Sequence, residues 1–164
     1  MNTMKTTREQ AKETVHKDLV NNLQGLLKKN YDAEKGFTKA MEDAKDSNLK
    51  RFLQQQARQR NKFATELDSE IRSLNEKPAE EGSTKGDLHR TWIDIKSAVS
   101  GNDDEAVLEE CIRGEKASME EYEETLNENR FPPKLQTILD SQLSEIKGTV
   151  AKVKKLEDLA EHRS

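Results

Sequence analysis

The sequence predicts an all-α chain folded as a four-helix bundle, and three observations carry that expectation. Apolar residues are sparse, but they recur at steps of three and four along most of the chain. The periodic stretches are separated by capping residues, Pro and Gly. One long break divides the chain into two hairpin-like halves that echo each other.

The first helix is expected over about residues 8–45, with the row Val20, Leu23, Leu27, Asn30, Glu34, Phe37, Met41 and Ala44. Its steps alternate between three and four, which keeps one stripe facing its neighbours. Asp46 or Ser47 then supplies an N-cap for a second helix reaching about residue 76, with the row Leu49, Leu53, Gln56, Arg60, Phe63, Leu67 and Leu74. The turn between them is short, so the two form an antiparallel hairpin.

Residues 77–86, "KPAEEGSTKG", read as a loop, and "GDLHRTWIDIKSAVSG" as a short connecting helix with Leu88, Trp92, Ile95 and Val99 on one stripe. A third long helix starts near "NDDE", capped by Asn102 or Asp103, with the row Leu108, Ile112, Glu115, Met119, Tyr122 and Leu126. "ENRFPP" ends it. Pro133 suits the first turn of a fourth helix to about residue 160, with Leu135, Leu139, Gln142, Ile146, Thr149, Val153 and Leu156 inward. The roughly 25-residue connection between the hairpins can span a helix of about 40 Å. That reach lets the second and third helices run parallel, as in the one-crossover bundles of ferritin-like folds. We therefore expect a single bundle domain over residues 1–164, with about the first 12 residues as an extension.

Composition bounds what such a bundle does. Charged residues make up 37% of the 164, yet 28 basic residues nearly cancel 32 acidic ones, leaving −4. Disordered chains combine low hydrophobicity with large net charge, so the balance and the periodicity favour folding. Intermixed charge without Lys/Arg–aromatic clusters leaves no footprint for nucleic acid. The start lacks a signal-peptide core, and no apolar run suffices to cross a bilayer, so a cytoplasmic protein is expected. The single cysteine, Cys111, forms no intrachain disulfide and reads as a small buried hydrophobe.

Two carboxylates interrupt the apolar rows, Glu34 and Glu115, each inside Glu-Lys, and Gln56 and Gln142 echo each other in the same way. A di-iron or di-manganese bundle takes one Glu from each of two helices and Glu-x-x-His from each of the others. Glu34 and Glu115 match the first half. Where the Glu-x-x-His pairs belong stand Arg60 with Phe63 and Ile146 with Thr149, and a guanidinium does not coordinate metal. His16 lies about 27 Å along the first helix from Glu34, His89 is on the connecting helix and His162 is in the tail. The reading favoured by the residues is a buried polar cluster in which Arg60 pairs with Glu34 and Glu115, completed by Gln56 and Gln142. The alternative is a site for iron or another divalent metal at Glu34 and Glu115. Tyr122 and Met119 read as ordinary core residues.

"DAEKGF", "LKRFLQQQARQRNKFATEL", "GDLHRTWIDIKSA", "NDDEAVLEE" and "GEK" resemble the DUF2383 family of small bacterial proteins placed among ferritin-like bundles. The resemblance covers about residues 15–160 and implies a ferritin-like bundle of unassigned biochemical function, cytoplasmic and associated with stress. Two functions follow as expectations. One is a non-catalytic bundle, without a cofactor, acting as a homodimer or through an unknown protein partner. The other is a metal-binding or oxidative-stress protein using Glu34 and Glu115.

Overall fold

The computed structural model describes residues 6–82 and 103–161, and every regular element among them is a helix. The expected connecting helix, with Trp92 and His89, lies outside the described residues, as does His162.

Helix α1 (Thr7–Asp43) opens on a capping box: the Thr6 hydroxyl accepts from the Glu9 amide, and the Glu9 carboxylate accepts from the Thr6 amide. At 1.5 Å per residue it is about 55 Å long. Helix α2 (Ser47–Ser73) starts on Asp46, whose side chain accepts from the Leu49 amide at 2.8 Å. It ends where Asn75 takes the left-handed conformation, φ 60°. The Asn75 and Glu76 amides bond back to the Arg72 and Ile71 carbonyls, a Schellman closure with asparagine in the place glycine usually takes.

The chain then doubles back over α1. His16 meets Glu76 at 3.0 Å. Gln24 donates to the Lys77 carbonyl and accepts from the Ala79 amide, both at 2.8 Å. Gly82 closes against Asp32, where no side chain fits: a Cβ there would overlap the Asp32 carboxylate and lie 3.0 Å from the Lys28 carbonyl oxygen.

Helix α3 (Asp104–Glu128) is capped by Asp103. The Asp104 carboxylate accepts from the Lys45 and Asp46 amides, at 3.2 and 2.6 Å. That fixes the start of α3 beside the α1–α2 turn, so α2 and α3 run in the same direction. Helix α4 (Pro133–Lys152) returns, with proline at its start. It stops earlier than its periodicity predicts: Val153 is extended, and a short α5 (Leu156–Glu161) follows. The break lets Val153 and Leu159 both enter the core beside Leu49 and Phe52. Asp158 accepts from the Lys154 and Lys155 amides freed at the break.

The most extensive packing among the described residues joins α1 to α2, then α3 to α4. The apolar core divides in two. One cluster, around Phe37, Leu53, Leu108 and Ile112, sits at the end where α3 begins. The other, around Leu23, Leu27, Phe63, Leu67, Leu135 and Leu139, fills the opposite end. None of the described helices is long and apolar enough to cross a membrane.

Candidate functional site

Between the two apolar clusters lies a layer of buried polar side chains contributed by all four long helices: Asn30 from α1, Gln56 and Arg60 from α2, Glu115 and Tyr122 from α3, and Gln142 from α4. Each occupies an inward position of its helix, so the helical period that buries the leucines also buries these groups.

Arg60, 1% exposed, is the centre of the layer. Its Nη2 donates to Glu115 Oε1 at 2.5 Å and its Nη1 to Asn30 Oδ1 at 3.0 Å, while the guanidinium lies 6.0 Å from the ring centre of Phe63 one turn on. Asn30 Nδ2 donates to the Leu26 carbonyl at 2.8 Å and to the Tyr122 hydroxyl at 2.9 Å. Tyr122 donates in turn to Gln142 Oε1 at 2.7 Å. Gln142 Nε2 makes longer bonds, 3.4 Å to the Phe63 carbonyl and 3.3 Å to the half-buried Glu66 carboxylate.

From Arg60 through Asn30, Tyr122 and Gln142 to Glu66, every donor points the same way, from a cation to an anion. Bonds in such a chain polarise one another. Burial pushes the Tyr122 hydroxyl up to about 12, against a smaller downward pull from Arg60 and the Asn30 bond, so at neutral pH it remains a proton donor.

Glu34 does not join this layer. It is half-buried and accepts from the exposed Asn61 at 3.1 Å. Beyond Asn30 the buried residues of α1 are Asp32, Ala33, Gly36, Phe37 and Ala40, where the sequence row had Glu34, Phe37 and Met41. Both orders of three- and four-residue steps have the same period, and Arg60 takes Asn30 as its partner on α1. The difference has a physical reason: in this layer a second carboxylate would have to share the single guanidinium with Glu115, and desolvation without a cation of its own costs several kcal/mol or more. Gln142 reaches the network through Tyr122. Gln56 is buried one turn before Arg60, and its Oε1 has no partner among the described residues.

Asn30 and Tyr122 stand in the inward rows of the sequence, but the pattern did not mark them as members of the polar cluster. The available signal was chemical: an asparagine or tyrosine in an apolar row must find hydrogen-bond partners once buried.

The donor set does not fit a metal centre. One Glu115 oxygen is held by a guanidinium, Glu34 faces another way, and no group of three or more His, Cys, Asp or Glu among the described residues is placed to hold an ion. Cys111 is fully buried in the apolar cluster, and desolvation, reinforced by Glu115 and Glu110, raises its thiol far above its ordinary value, which suppresses the reactive thiolate. His16 lies at the surface on Glu76, far along α1 from the layer.

On the outside, residues 6–18 of α1 and its cap are exposed and extend past the packed core. They include Val15, an apolar side chain 67% exposed. It edges a groove with Leu19, Phe131 and Pro132 at the α3–α4 turn.

A family model described as a domain of unknown function, DUF2383, matches residues 18–128. No curated protein gives a significant match to the chain.

Proposed function

The chain belongs to the DUF2383 family, a domain of unknown function, and on that premise we propose that it is a non-catalytic helical bundle that acts by self-association, as a homodimer. The observation that carries this reading is the Arg60–Glu115 pair. The one fully buried carboxylate of the layer is neutralised by a guanidinium inside the fold, whose Nη1 donates to Asn30, and Asn30 and Tyr122 pass the chain of bonds on to Gln142. Chemistry that needs an open ligand set or a free base has little to work with there, and function moves to the surface.

The projecting start of α1 supports self-association. Val15, 67% exposed, and the groove it edges with Leu19, Phe131 and Pro132 offer a second copy an apolar contact on that helix. A lone, buried thiol suits a reducing cytoplasm.

The test is light scattering coupled to size exclusion on the full chain across the micromolar range, with metal content measured on the same fractions. A dimer that Val15→Asp converts to monomer is the expected outcome. A wild-type chain that stays monomeric overturns self-association. Near-stoichiometric iron, manganese or zinc that is lost in Glu115→Gln overturns the non-catalytic reading.

A further inference from the structure

We propose that one ordered water molecule is built into the core of this protein, held by Gln56, Arg60 and Glu115. Three atoms of the polar layer have no hydrogen-bond partner among the described residues: Gln56 Oε1, Arg60 Nε and Glu115 Oε2. Their residues are 5%, 1% and 1% exposed, so bulk solvent does not satisfy them. Buried polar atoms left unpaired are rare in folded proteins, and three in one layer call for a common partner.

The positions of the three residues argue that these atoms lie close together. Gln56 and Arg60 lie four residues apart on the inner face of α2, and helical side chains lean toward the N-terminus, which carries Arg60 back over Gln56. Nε–H projects from the guanidinium edge next to Nη2, the nitrogen that holds the Glu115 carboxylate. The second oxygen of that carboxylate therefore belongs to the same few ångströms of the core.

The chemistry of the set selects the ligand. It offers one donor, Nε–H, and two acceptors, Oε1 of Gln56 and Oε2 of Glu115. A water molecule accepts the first and donates to both others, a three-bond arrangement typical of buried waters. A metal cation would face the guanidinium donor, an anion would face two acceptor oxygens, and an ammonium ion has nothing with which to accept from Nε. Rotating Glu115 into a two-pronged pair with Arg60 would satisfy Nε and Oε2 but leave Gln56 orphaned. Water is the smallest group that satisfies all three.

The experiment is a high-resolution crystal structure of the full chain, paired with thermal melting of Gln56→Met. The expected result is a single non-anomalous density peak about 2.7–3.2 Å from each of the three atoms. The substitution keeps the bulk of the side chain but removes one partner of the water, so the melting temperature is expected to fall by a few degrees. Without a water, the same change would delete an orphaned acceptor and raise the melting temperature. A core without that peak, an anomalous peak in its place, or a more stable variant each overturns the proposal.

Discussion

Tyr122 shows how a residue's chemistry adds to its burial. The ring contributes apolar area to the cluster around Phe63 and Leu139, while the hydroxyl accepts from Asn30 and donates to Gln142. Tyr122→Phe keeps the packing but leaves Asn30 and Gln142 short of a partner, so it is expected to lower stability by about 1–3 kcal/mol in denaturant unfolding. The same residue sets a pH dependence. An unfolded tyrosine ionises near 10, whereas in the folded chain burial holds the hydroxyl protonated up to about 12. Its contribution is therefore fully present below pH 10 and is lost as pH rises toward 12, because the unfolded chain binds fewer protons there. The difference between wild-type and Tyr122→Phe stability is expected to shrink over that interval, by at most about 1.4 kcal/mol per pH unit. A difference that stays constant there would count against the buried hydroxyl. Reading the apolar row located Tyr122, but a row does not show whom its hydroxyl meets, since the partners come from α1 and α4.

Elements are bounded here by short-range chemistry, and those bounds were largely visible in the sequence. Asp46, Asp103 and Pro133 start α2, α3 and α4 because side-chain caps and a preset φ act within a few residues. The end of α4 was not visible, since its periodicity continues through Val153 and Leu156 while the chain bends at 153–155 to bring Leu159 against the cluster at that end. The segment 77–82 was expected only as a loop, and its contacts give it a definite course along α1. Gly82→Ala would place a methyl into Asp32 and against the Lys28 carbonyl, so the segment must lift. Hydrogen exchange at the Ala79 amide, which Gln24 accepts, is expected to accelerate in that variant while exchange in the middle of α2 is unchanged. Equal acceleration in both places would mean that the segment is not a separate unit.

At the scale of the whole molecule, the polar layer separates two apolar clusters and links all four long helices, which gives the bundle one register at which Arg60 meets Asn30 and Glu115 and Tyr122 meets Gln142. Arg60→Ala removes the cation and strands Glu115, and is expected to lose about 3–5 kcal/mol. Arg60→Met with Glu115→Leu removes both charges, and is expected to recover most of that loss, as replacing a buried ion pair by apolar groups often does. Equal losses in the single and double variants, measured by urea unfolding, would show that volume and not charge governs this position. Periodicity, capping and proline act locally, so the residues alone specify an all-α bundle, the starts of three of its helices, and the inward faces of α2, α3 and α4. Tertiary structure alone decided that α1 turns Ala33 and Ala40 inward and leaves Glu34 half outside, that α4 breaks before α5, and that Arg60 bonds Asn30 and Glu115. Two registers of α1 share one heptad period, and only the neighbouring helices, with the lone guanidinium that a second carboxylate in the layer would have to share, distinguish them.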